Sequence, residues 1–248
     1  MTPDAALLRE ASLARLTGAG VATALPEAVG QKFDAKGQVL PFPGNTFLCH
    51  IPPDGPAHAA LCAASAALQA GPLAGAFSFL PPASFHMTVF EGVTDAHRDD
   101  ARWPEGLPAD AALDEVTARF AAATAGLELP PAQAVRPVAI LGGRTVAVTG
   151  LTAQAEAALR AARAILADRT GIRRPDFATY GFHITLAYAL RWLTEDEARA
   201  VHDLSDAVFA RLVAAAPAIT LGPVEFCTFA DMHAFPPLQL LTGGAGTR

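Results

Sequence analysis

Two short runs constrain this chain more than any other feature: Phe85-His86-Met87-Thr88-Val89 and Phe182-His183-Ile184-Thr185-Leu186. Each is apolar except for a His and, two places on, a Thr. In a β-strand successive side chains alternate between faces, so His86 and Thr88 share one face while Phe85, Met87 and Val89 share the other. His183 and Thr185 separate in the same way from Phe182, Ile184 and Leu186. A His and a Thr two residues apart stand about 6 to 7 Å apart along a strand face. Two such pairs facing each other would enclose a small polar site backed by apolar core. A fold that uses both must bring two distant strands together.

The remaining composition can supply that core, since 52% of the 248 residues are hydrophobic and 17% are charged. The length fits one large domain or two small lobes. A formal net charge of -6 leaves no diffuse basic surface for a long duplex nucleic acid, whereas a single phosphate in a local pocket is compatible with it. Cys49, Cys62 and Cys227 are dispersed without CxxC spacing and read as reduced, buried thiols rather than a disulfide frame or zinc site. Gly, Pro or a charge interrupts every apolar run before it reaches spanning length, and Met1-Thr2-Pro3-Asp4 does not open a signal peptide. The expectation is a cytoplasmic monomer without membrane contact.

Helical spacing predicts helices over 5–17, 56–70, 110–126, 152–169 and 194–216. Strands are predicted at 46–51, 77–80, 84–91, 135–141, 144–149, 181–190, 219–230 and 238–241. Gly142-Gly143 marks a hairpin turn, Thr152 and Gly171 bracket a helix, and Thr194-Glu195-Asp196-Glu197 reads as a capping box. Pro130-Pro131 divides a single domain, 1–248, into lobes of 30–128 and 132–242, preceded by an N-terminal helix and strap over 1–29. The order of strand, helix, His/Thr strand and helix recurs in the two halves. The segments 26–45 and 92–108 are long loops, and such loops in compact domains often carry function.

Two imidazoles with ordinary pKa values near 6.5 suit a reaction that needs one base and one acid at neutral pH. One takes a proton from water and the other gives one to a departing oxygen. Two Thr hydroxyls add donors for the oxygens of a tetrahedral anion. The set suits in-line cleavage of a phosphodiester without metal or other cofactor. Two other readings stay open: a nucleotide- or phosphate-binding module without turnover, and a metallohydrolase with His50 as a third ligand. Secondary pocket candidates are His50, Asn45, Phe90, Trp103 and Tyr188, with Lys32 and Arg98 able to reach a ligand from loops. Phe90 follows the alternation of His86 and Thr88, whereas Tyr188 has the opposite parity to His183. Arg144 and Arg173 read as solvated surface residues.

FHMTVF and FHITLAY resemble the paired His-x-Thr signatures of the 2H phosphoesterase superfamily, whose members include cyclic phosphodiesterases and 2′,5′-RNA ligase-like proteins. The stretches Lys32 to Gly37 and Gly44 to Ile51, with Glu91, Arg98 and Trp103-Pro104, resemble an uncharacterised branch of it. The resemblance implies an α+β, bilobal fold with pseudo-twofold symmetry, in which each lobe has an antiparallel sheet and helices and the active-site cleft lies between them. It also implies metal-independent hydrolysis of 2′,3′-cyclic or related phosphodiesters in a small nucleotide or short oligonucleotide. His86 and His183 would act as acid and base, and Thr88 and Thr185 as phosphate ligands.

Overall fold

In the computed structural model, which describes residues 5–21, 23–99, 101–129 and 133–241, most periodic segments become the elements their spacing predicts. In chain order these are α1 (Ala5–Thr17), β1 (Gly44–His50), α2 (Pro56–Gln69), β2 (Phe77–Phe79), β3 (His86–Thr94), α3 (Leu113–Ala123), β4 (Ala134–Leu141) and β5 (Thr145–Gly150). They continue with α4 (Ala153–Thr170), β6 (His183–Thr185), β7 (Ala187–Ala189), α5 (Glu195–Ala215), β8 (Ile219–Thr220), β9 (Glu225–Phe229) and β10 (Pro237–Leu240). Local chemistry sets several ends. Thr152 accepts a hydrogen bond from the Ala155 amide at 3.1 Å, and Gly171 closes α4 at φ 74°. The Thr194 and Glu197 capping box is complete at the start of α5. Gly142 and Gly143 both lie at positive φ, 58° and 67°, in the turn that joins Leu141 to its partner Thr145, a conformation that glycine adopts without steric cost. The Pro130-Pro131 boundary and Met1–Asp4 lie outside the described residues.

Eight strands form one antiparallel sheet in the order β10-β9-β1-β3-β6-β5-β4-β8. The fold is α+β, as expected. Where the lobe reading places a sheet in each half, the structure joins four strands on either side of a seam between β3 and β6. Met87 and Ile184, the central apolar residues of the two motifs, sit opposite each other at that seam. The end of the chain crosses back to the first half, because β9 pairs with β1 and β10 extends the edge.

The predicted strand over 181–190 is broken at Leu186. Its first part, β6, joins the large sheet, while β7 pairs with β2 in a separate two-stranded ribbon. The amides of Leu186 and Ala187 both donate to the Arg144 carbonyl, at 2.7 and 3.1 Å, and one acceptor serving two successive amides bends the chain out of a regular ladder.

Behind the seam, the apolar members of both motifs are buried together. Met87, Val89, Phe182, Ile184 and Leu186 join a core cluster with Phe47, Phe120 and Phe226. Phe47 and Phe226 stack with ring centres 4.5 Å apart, and each large side chain so buried contributes roughly 1.5–3 kcal/mol. Cys49 and Cys227 are buried free thiols, but Cys62 is only half-buried, beside His58 at 3.5 Å. No helix among the described residues is long and apolar enough to cross a membrane.

Candidate active site

Antiparallel pairing about Met87 and Ile184 sets His86 level with Thr185 and Thr88 level with His183. Residues level across antiparallel strands share a face, with Cβ atoms about 4.5–5.5 Å apart and diagonal neighbours about 7–8 Å apart. The two histidines are therefore diagonal to each other, with the two threonines on the other diagonal. All four side chains line one cavity of about 890 Å³, within the range of roughly 300–1,000 Å³ typical of small-molecule sites.

The two imidazoles are tethered alike. His86 Nδ1 donates to the Ser84 carbonyl at 2.7 Å, and His183 Nδ1 donates to the Gly181 carbonyl at 2.9 Å. A carbonyl oxygen only accepts, so each Nδ1 carries the hydrogen and each Nε2 is left to take or give a proton. A short 3₁₀ turn, Pro82–Ser84, presents the Ser84 carbonyl just before β3. The Phe235 ring centre lies 4.3 Å from that of His86. Burial pushes the His86 pKa down to about 4; its hydrogen bond to Ser84 opposes the shift, and the neighbouring His50 and His183 add to it.

His50 stands opposite His86 on β1, with ring centres 6.3 Å apart. Its Nδ1, however, bonds the Glu225 carboxylate instead of reaching into the cavity. His50, Glu225 and Cys227 place one possible metal-ligand atom each within 4.8 Å of one another. Neither His86 nor His183 belongs to this group. Burial pushes the Cys227 thiol up to about 12, with Glu225 adding to the shift. His50 and Glu225 form a hydrogen-bonded pair beside the buried Cys227 thiol.

Asn45 borders the cavity but is 1% exposed. Its Nδ2 donates to Thr117 Oγ1 at 2.9 Å and its Oδ1 accepts from the Val93 amide at 3.1 Å, so the amide braces β1 against β3 and α3. Phe90 is a correction to simple alternation. The register steps from Leu48 opposite Thr88 to Phe47 opposite Phe90, leaving Val89 as an extra residue. This bulge turns Phe90 into the core against Phe47, 6.1 Å between ring centres, and gives the cavity face to Glu91. The Val89 carbonyl receives a hydrogen bond from the buried guanidinium of Arg163 at 2.6 Å. Trp103 is also a correction: it is buried, donates to the Pro108 carbonyl at 3.0 Å, and lies under Arg98 at 4.5 Å. It stabilises the 92–108 loop without lining the cavity. Tyr188 does line the cavity, because the break at Leu186 resets its parity.

Several wall residues escape the sequence reading. Arg144 lines the cavity and is half-buried, a correction to its reading as surface. Burial holds its pKa below the ordinary value, with nearby Arg15 adding to the effect. Arg173, by contrast, pairs with Asp168 on the exposed surface, as expected. Arg174 faces Glu91 at 3.3 Å and donates to the Gly92 carbonyl at 2.9 Å. Tyr180 stands 5.9 Å from His183 between ring centres. Lys32 and Phe42 from the 26–45 segment, and His97 and Arg102 from the 92–108 loop, complete the wall, where the Phe42 and His97 rings meet edge to face, 6.0 Å between centres.

Fold and quartet together define a class: an α+β protein that opposes two His-x-Thr strands across one sheet seam, over a cavity of small-molecule size. Residues 32–148 match the family model named 2H-phosphodiest, described as a domain of unknown function (DUF1868). The structure resembles the crystal structure of the conserved protein of unknown function ATU0111 from Agrobacterium tumefaciens str. C58. That likeness has a TM-score of 0.88 and 32% sequence identity, over 92% of this chain and 98% of the other. No curated protein matches the chain. The chain belongs to the 2H phosphoesterase family.

Proposed function

We propose that this protein is a metal-independent phosphodiesterase that hydrolyses a small cyclic or 2′-linked nucleotide phosphodiester by two-histidine acid/base catalysis. The observation that carries the reading is the diagonal pair of imidazoles, each with Nδ1 tied to the carbonyl two residues back and Nε2 left for proton transfer. Family membership supports a phosphoesterase-like activity. Burial keeps His86 neutral at physiological pH, which suits it to remove a proton from the attacking water. His183, on the opposite diagonal position, gives a proton to the departing oxygen. The hydroxyls of Thr88 and Thr185 donate to the non-bridging oxygens, and this stabilisation grows as charge builds in the transition state. The cavity admits one nucleotide or a short oligonucleotide, and the net charge of -6 disfavours a long duplex.

A panel of 2′,3′-cyclic nucleotides and other cyclic phosphodiesters, assayed with and without EDTA, tests this. Turnover should survive EDTA and fall by roughly a hundred- to ten-thousand-fold in His86→Ala and in His183→Ala. Near-normal activity in either variant would sink the two-imidazole mechanism. Tight binding without hydrolysis would instead favour a phosphate-binding module, and loss of turnover in EDTA a metallohydrolase.

A further inference from the structure

Two cations on the cavity wall, Lys32 and Arg144, lie beside Tyr188, and a third, Arg15, lies beside Arg144. Lys32 Nζ lies 4.9 Å from the Tyr188 ring centre and 5.0 Å from that of Phe42. Arg144 acts electrostatically on both Tyr188 and Arg15, and all four residues line the same cavity. Other charges on the wall are matched: Arg174 faces Glu91 at 3.3 Å, Arg102 faces Asp99 at 3.8 Å, and Glu27 faces His97 at 3.6 Å. Asp176 acts instead on Tyr180 and Arg163, on the His183 side. Among the described residues, no carboxylate forms an ion pair with Lys32, Arg144 or Arg15, although acidic residues outnumber basic ones in this chain, 24 to 18. A half-buried guanidinium without a counter-charge is costly to keep unless something else supplies the anion.

The position of Arg144 relates it to the reacting centre. Thr145 pairs with Thr185 across β5 and β6, so Arg144 begins one strand over and one residue along from a proposed phosphate ligand. Its side chain lines the same cavity as the quartet. The Tyr188 ring, on the same cavity wall and beside Lys32, offers a surface for a sugar or base.

We propose that Arg144, with Lys32 and Arg15, forms a second anion subsite, and that the substrate is a nucleotide bearing a terminal phosphate in addition to the diester that is cut. This rests on the phosphodiesterase reading above and adds the substrate class to it. Arg144 supplies a planar fork that a phosphate accepts in two hydrogen bonds, Lys32 and Arg15 add charge, and Tyr188 takes the nucleoside.

The test compares kcat/KM for a nucleoside 2′,3′-cyclic phosphate with and without a 5′-phosphate, in wild type, Arg144→Gln and Arg144→Lys. The 5′-phosphate should raise kcat/KM by about tenfold or more in wild type, chiefly through KM. That ratio should fall close to one in Arg144→Gln and recover in part in Arg144→Lys. A wild-type ratio near one, or a ratio that Arg144→Gln leaves intact, overturns the subsite. If neither compound is turned over, the phosphodiesterase reading fails separately and calorimetry decides the subsite. Adenosine 5′-monophosphate should then bind wild type about tenfold or more tighter than adenosine does, and Arg144→Gln should abolish the difference. Equal affinities for the two would overturn the proposal in that arm.

Discussion

At His86 the fold opposes the charge that the side chain takes up readily in water. The unfolded chain protonates this imidazole near pH 6.5, whereas the folded one waits until about 4. Between those values the unfolded state binds more protons, so stability falls as pH falls through the window, and His86 has no such effect above it. A His86→Asn variant, which cannot titrate, should lose less stability than wild type between pH 7 and pH 4. The difference should reach up to about 3 kcal/mol. Urea unfolding at pH 7, 5.5 and 4.5 measures it, and identical pH slopes in the two proteins would remove the case for a buried neutral imidazole. The same property places the acid limb of kcat/KM below that of an ordinary histidine if His86 is the base. Phe235 is the aromatic neighbour packed on this ring, and no local sequence signal points to it, because it arrives from the far end of the chain.

Among the elements, β3 carries half of the quartet and much of what the sequence concealed. The alternation of His86 and Thr88 is legible because a strand has period two, and the reading holds for as long as the ladder is regular. At Val89 an extra residue enters, and parity fails from there on: Phe90 turns inward and Glu91 takes its place on the cavity. No composition marks such a bulge. It is held by Arg163, 74 residues away in sequence, and by Asn45, whose side chain bonds the Val93 amide. Arg144 was hidden for a related reason, since a charged residue after a hairpin turn reads as solvated until another segment folds over it. Gly92 follows the bulge, and a Cβ there would lie 2.1 Å from Asn45 Oδ1 and 2.5 Å from the Asn45 carbonyl oxygen. The backbone cannot yield as a flexible side chain would. Gly92→Ala should therefore lower unfolding free energy by about 2 kcal/mol or more and depress activity by shifting Thr88 and Glu91. Gly75→Ala is the control, because an added Cβ meets nothing within 4 Å there. Equal unfolding free energies for the two variants would show that β3 tolerates rearrangement at this point.

In the molecule as a whole, the motifs meet because the sheet is continuous. The sequence shows two similar successions of elements but not how they join. The seam rests on Met87 opposite Ile184, and strands from the end of the chain extend the first half of the sheet. One core cluster runs beneath both sides of the seam, from Phe47 and Phe226 to Val146 and Ile184. Unfolding either side exposes apolar surface on the other, so the two sides should unfold together. A Trp192→Phe variant leaves Trp103 as the one tryptophan, buried within the 92–108 loop. In that variant the denaturant transition followed by Trp103 fluorescence should coincide with the transition followed by far-ultraviolet circular dichroism, which reports helices and strands on both sides. Separated midpoints would mean that the two sides of the seam are independently stable lobes. The quartet would then depend on docking between folded units, and substrate, rather than the sheet, would have to hold His86 and His183 in register.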